Sequence, residues 1–288
     1  MRDDDLRASS NIDDRRGGSG VARGGLGIGA LVVLSLLGWA FGIDPSALIN
    51  GAEQVTSGRA PVATQSAPAR PGAPDDEGGR FVARVLGETE DVWSQVLPRD
   101  TGRQYEKPIL VLFSGVTPSG CGTAQSSMGP FYCPLDRKLY LDTSFFQDMQ
   151  RRLGGGGDFA YAYVIAHEVG HHIQNLVGLL PKVQAAERET NKATANSLSV
   201  RTKLMADCLA GVWANHMNER HRNLDEGDLR EATNTAAAIG DDRLGRSSGR
   251  ALVQDSFTHG SSDQRVRWLT TGLRNGTVAS CDTFQAAQ

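Results

Sequence analysis

The chemistry in this sequence concentrates at His167, Glu168 and His171, inside the stretch YVIAHEVGHHIQN from Tyr163 to Asn175. Histidines four residues apart share one face of a helix and stand one turn apart. Two imidazoles presented that way suit zinc, which in a catalytic site takes protein ligands and keeps one position for water. A carboxylate directly after the first histidine is placed to take a proton from that water, and this is the role expected of Glu168. His172 points about 100° around the helix from His171 and is expected to stay outside the ligand set. The motif alone does not decide the matter, because the same spacing also arises on surface helices with paired charges. A third ligand has to be found.

The elements that would position these groups can be read from periodicity. Residues 80–97, RFVARVLGETEDVWSQVL, place apolar side chains at helical spacing. PILVLFSG and KLYLDTSFF, the latter running into polar residues, are read as strands, and the GCGTAQSSMGPFYC segment between them is expected as a long loop. Four glycines at 154–157 break the chain, and Asp158 is placed to cap the helix that carries the motif. That helix is expected to stop before Gly178 or Pro181. A long helical pattern follows around ANSLSVRTKLMADCLAGVWANHMNE, then two more around GDLREATNTAAAIG and SSDQRVRWLTTGL. The fold class expected is α+β, helix-dominated, with a small β-sheet.

Near-neutral composition, with a formal net charge of −3, gives no electrostatic footprint for nucleic acid. Residues 24–43 carry no charge, match the thickness of a bilayer core as a helix, and follow Arg15, Arg16 and Arg23. The expectation is a single-pass anchor with a cytoplasmic N-terminus. Residues 1–23 would then be a disordered polar tail and residues 44–79 a flexible spacer rich in Pro, Ala, Ser and Gly. The four cysteines, Cys121, Cys133, Cys208 and Cys281, all follow that segment, and an even number there fits disulfides in an oxidising compartment. Of three possible pairings, Cys121–Cys133 with Cys208–Cys281 is favoured, since the first two bracket a short loop.

AHEVGHHIQN, MADCLAGVWAN, CGTAQSSMGPFYCPLDRKLYLDTSFF and DSFTHGSSDQRVRW occur in the order of the bacterial neutral zinc metallopeptidase family, which this chain resembles across 80–288. The resemblance implies a zincin-like domain, zinc as cofactor and a peptide or protein substrate. The family in turn is similar to membrane-bound gluzincins, in which a second helix carries E-x-x-x-D. The Glu there is the third zinc ligand, and the Asp orients a ligand histidine. This chain departs from that pattern, with Lys203 where the Glu belongs and Asp207 where the Asp belongs. A protonated lysine offers donors and no lone pair. Asp207 is therefore expected to move in as the third metal ligand beside His167 and His171, with Glu187 or Asp142 as alternatives. His259 resembles the gluzincin histidine that steadies an oxyanion, and Arg265 is expected to pair with a carboxylate such as Asp207. The KLYLD strand is expected to offer its edge to an extended substrate. The leading expectation is a membrane-anchored zinc peptidase acting outside the cytoplasm, with Glu168 as general base. The competing one is a catalytically degenerate domain that binds envelope partners.

Overall fold

The computed structural model describes residues 1–16, 70–72, 74–153, 157–243 and 256–285. The expected anchor at 24–43, and the spacer as far as residue 69, lie outside them. Among the described residues no helix is long and apolar enough to cross a membrane. In chain order the elements are β1 (Ile12–Asp14), β2 (Arg70–Pro71), α1 (Glu77–Thr101), β3 (Ile109–Phe113), β4 (Val116–Ser119), β5 (Gly122–Gln125), β6 (Phe131–Cys133) and β7 (Lys138–Asp142). Then come α2 (Ser144–Leu153), α3 (Asp158–Leu176), α4 (Leu179–Arg188), α5 (Lys192–His221), α6 (Glu226–Ala238) and α7 (Ser262–Asn275). The class is α+β with a helix-dominated second half, as the periodicities imply.

A five-stranded mixed sheet runs in the order β2-β1-β3-β7-β6, with β1, β3 and β7 parallel and β2 and β6 antiparallel at its two edges. Alternation along β3 explains the two layers. Leu110 and Leu112 face the helices with Ile12, Leu139 and Leu141, whereas Val111 and Phe113 face a second cluster with Ala124, Cys133 and Tyr140. The β4–β5 hairpin belongs to that second layer, and the Cys121–Cys133 disulfide ties it to β6. Two sequence expectations change here. The Gly- and Ser-rich segment between the strands is not one long loop, because it supplies half of the hairpin and the edge strand β6. The KLYLD strand is interior, since β3 and β6 pair with its two sides, so the edge available next to the motif is that of β6.

Residues 1–16 also differ from the disordered tail expected of them. Polar by composition, they still place Leu6 and Ile12 in the core and supply strand β1, which pairs with both β2 and β3. Short polar sequences read as disorder when their partners are distant in the chain.

Three helices fix the site, and small residues set how closely they approach. Gly170 of α3 packs on Ala206 of α5, where an added Cβ would come within 3.0 Å of the Ala206 Cα. At the crossing of α5 and α7, a Cβ on Gly211 would strike the Leu269 carbonyl, and one on Gly272 would strike the Cys208 carbonyl. The favoured pairing Cys208–Cys281 is present, and it fastens the segment after α7 back to α5. A capping box between Ser261 and Gln264 starts α7, so Arg265 enters the helix in its first turn.

An alanine on an exposed helix stabilises relative to glycine by about 0.5–1 kcal/mol. At Gly272 the sign should reverse. Gly272→Ala is expected to destabilise by about 1–3 kcal/mol or more, because backbone has to move to admit the methyl group. Urea unfolding of the variant checks this, and an unchanged or raised midpoint would mean that the crossing has slack.

Candidate active site

Helix α3 carries the motif and begins at Gly157, whose positive φ of 114° turns the chain into it. Asp158 therefore serves as the first helical residue, favourable at the positive end of the helix dipole, and makes no side-chain cap. Gly178, in the left-handed region at φ 78°, separates α3 from α4.

His167 and His171 lie in one cleft wall with ring centroids 4.9 Å apart and planes perpendicular. His167 Nδ1 donates to Asp207 Oδ1 at 2.7 Å, an assignment that follows from the carboxylate being an acceptor only. His171 Nδ1 meets Gln174 Oε1 at 2.9 Å, and Gln174 Nε2 donates to the Thr202 carbonyl at 2.7 Å. With the amide fixed in that sense, His171 also carries its proton on Nδ1. Both rings thus keep Nε2 as a lone-pair nitrogen. Burial lowers both pKa values, His171 to about 3, so both are neutral at pH 7.

Asp207 holds this arrangement in place. Its Oδ1 accepts from Tyr163 at 2.6 Å and from Arg265 Nη2 at 2.8 Å, and its Oδ2 accepts from Arg265 Nε at 2.9 Å. Burial by itself would raise its carboxyl, but the Arg265 guanidinium and His167 hold it well below the usual carboxylate range. The expected pairing of Arg265 with Asp207 is present. Asp207 itself stands behind His167 as its orienting group, with three donors on Oδ1 and Arg265 Nε on Oδ2, and it is not among the residues that line the cleft, where the ligand role expected of it would require it. Tyr163, one turn before His167, is a member of this cluster that the sequence reading missed. Its i−4 spacing on the motif helix was the available signal.

The cleft in front of the two rings has a volume of about 560 Å³ and brings together Glu168, Lys203, Glu187, His259 and the β6 residues Phe131 and Tyr132. Burial pushes the Glu168 carboxyl up to about 8, against the opposing pull of a backbone hydrogen bond at Tyr132 and of Lys203. Lys203 sits one turn before Asp207 on α5 and donates to the Thr258 carbonyl at 2.9 Å and to Ser199 Oγ at 3.1 Å. His259 is held by Asp241, which accepts from three consecutive backbone N–H groups, Thr258 to Gly260, and meets His259 Nδ1 at 3.2 Å. Asp241 lies outside every motif read from the sequence, and nothing in its spacing marks it. Asp142 is elsewhere, accepting from Gly115 and Ser144 backbone at the end of β7. His172 is buried on the far side of the helix, bonded to Tyr132 Oη and the Glu106 carbonyl.

The sequence profile described as "Putative neutral zinc metallopeptidase" matches residues 1–284. The chain belongs to that family. It is 44% identical over 294 residues to "Uncharacterized protein YpfJ" of Escherichia coli (strain K12), covering 99% of each chain. To "Uncharacterized protein Rv2575" of Mycobacterium tuberculosis (strain H37Rv) it is 38% identical over 260 residues, covering 85% of this chain and 84% of the relative. No solved structure matches it significantly.

The family name implies zinc, and the residues present can be tested against it. Two neutral imidazoles with free Nε2 atoms suit the ion. The third position does not. Asp207 is used up, Lys203 brings protons in place of a lone pair, and no group of three His, Cys, Asp or Glu among the described residues is arranged to hold a metal. A catalytic zinc takes three protein ligands, and this set falls one short.

Asp207→Asn is expected to cost about 3–5 kcal/mol at pH 7, since it leaves the Arg265 charge buried without its partner. The carboxyl's folded pKa is depressed, so its contribution is complete above about pH 4, the unfolded value, and is lost as pH falls below that. Urea midpoints at pH 7 and at about pH 2 check both points, and the variant should lose that part of the acid dependence.

Proposed function

We propose that this chain is a peptide-binding member of the zinc metallopeptidase family in which Lys203 has replaced the catalytic metal's third ligand, so that the cleft binds a peptide or protein segment without zinc-dependent hydrolysis. The observation that carries this reading is the Lys203 side chain, whose Nζ donates to the Thr258 carbonyl and to Ser199 Oγ inside the cleft while both Asp207 oxygens are engaged. Two more observations support it. Among the described residues no strand pairs with the outer side of β6, and that edge, with the apolar side chains of Phe131 and Met128 along the cleft, suits an extended backbone with apolar side chains. Glu168, held protonated at neutral pH by burial, is in the state that donates a hydrogen bond and not in the state that takes a proton. The two disulfides favour a domain outside the cytoplasm, where a surface or secreted protein would be the ligand.

A second reading has its own observation. Glu187 lines the same cleft, and its carboxyl is raised by burial with Lys203 as the opposing influence. With Glu187 as third ligand beside His167 and His171, the site would be a zinc peptidase, with Glu168 as general base and His259 beside the developing oxyanion.

Metal content separates the two. Full-length native protein dialysed against trace zinc is expected to retain little, whereas Lys203→Glu should approach one zinc per chain and acquire peptide hydrolysis that Glu168→Ala removes. Native protein with about one zinc per chain, and chelator-sensitive hydrolysis abolished by Glu168→Ala, would establish the peptidase reading instead. In either case the native cleft should bind unstructured peptides, read by fluorescence anisotropy.

A further inference from the structure

The N-terminal sixteen residues are built into the domain, and that restricts how the chain can meet a membrane. Helix α1 presents a buried carboxylate, Glu90, which accepts from Ser9 Oγ at 2.5 Å, Asn11 Nδ2 at 2.7 Å and Arg7 Nη2 at 2.8 Å. Without these residues the remaining charge near it is Lys107 at 3.4 Å, too little for a buried carboxylate, which needs both pairing and hydrogen bonds. The backbone is engaged as well. Ser9 N–H donates to the Ala83 carbonyl at 2.8 Å, Leu110 N–H to the Asn11 carbonyl at 2.9 Å, and Arg15 N–H to the Leu112 carbonyl at 2.7 Å. Gly87 admits this segment, because a Cβ there would collide with the Arg7 carbonyl. The family match also begins at residue 1.

The chain leaves this sheet after β1 and returns at β2, and those two strands are neighbours, Asp14 opposite Arg70 and Asp13 opposite Pro71. Neighbouring strands lie about 5 Å apart. The uncharged run at 24–43 is long enough as a helix for one crossing of a core about 30 Å thick, and too short for two. One crossing would put β1 and β3 on opposite faces of the bilayer, where no hydrogen bond between them can form.

We propose that residues 1–16 and the domain from residue 70 onward occupy the same side of any membrane the chain meets. This replaces the single-pass arrangement that charge and hydropathy suggest, and it is independent of whether the cleft binds zinc.

Cysteine labelling tests it in intact cells. All four native cysteines are in disulfides, so the native chain is silent to maleimide. Asp4 and Glu226 have side chains 90% and 96% exposed. Full-length Asp4→Cys and Glu226→Cys are each treated with a membrane-impermeant maleimide before and after permeabilisation. The expected result is the same pattern for both, either labelled from outside or both only after permeabilisation. One labelled from outside and the other only after permeabilisation would overturn the proposal. A second variant does not depend on surface labelling. Asp14→Cys with Arg70→Cys places thiols on paired residues, whose Cα separation of about 5 Å suits a disulfide. After oxidation and proteolysis between residues 17 and 69, the two pieces should stay joined until reductant is added. Pieces that separate without reductant would overturn the strand pairing on which the proposal stands.

Discussion

The buried pair of Asp207 and Arg265 is the constraint on which the rest of the site depends. It joins three helices that are distant in sequence, because Asp207 belongs to α5, Arg265 to α7, and both His167 and Tyr163, which complete the cluster, to α3. A carboxylate with no exposure at all is tolerable only when its charge is matched and its lone pairs are filled. Here Arg265 matches the charge and four donors engage the carboxylate, three on Oδ1 and one on Oδ2. The consequence runs outward to the cleft, since fixing Asp207 fixes the His167 tautomer and aims its Nε2 lone pair away from the carboxylate.

Close helix approach is what makes that cluster possible. Glycine and alanine at the contacts let α3, α5 and α7 come near enough for a planar guanidinium to reach across. The disulfide between Cys208, one residue past Asp207, and Cys281 holds the end of the chain against the same helix. Packing, covalent staple and ion pair therefore act on one region of α5, and Lys203 lies one turn away from it. Asp207 orients His167, and Lys203 stands beside them in the cleft, bonded to Thr258 and Ser199. This separates two things that the family resemblance presents together, namely the framework that positions imidazoles and the ligand set that retains an ion.

Much of the architecture was legible in the sequence. The motif helix, the long α5 pattern, the strands β3 and β7, and both cysteine pairs follow from periodicity, spacing and compartment. The misreadings share a physical origin. The hairpin, strand β6 and strand β1 are short and polar or glycine-rich, and what makes them strands is pairing with partners elsewhere in the chain. Local pattern carries no information about those partners. The expectation that KLYLD would be an edge failed for the same reason, since an edge is a property of the sheet and not of the strand.

At the site, the sequence by itself determined which chemistry is possible. His167 and His171 one turn apart with Glu168 beside them, and Lys203 one turn before Asp207, can be read without coordinates because helical spacing converts directly into geometry. Tertiary structure decided how the groups are used. It engaged both Asp207 oxygens with Arg265, Tyr163 and His167, brought Asp241 beneath His259, and set Lys203 against Thr258. Each of these is a contact between residues tens of positions apart, or on segments with no periodic signal. Burial, which moves the Glu168 and histidine pKa values away from their ordinary range, arises only when the helices close over them.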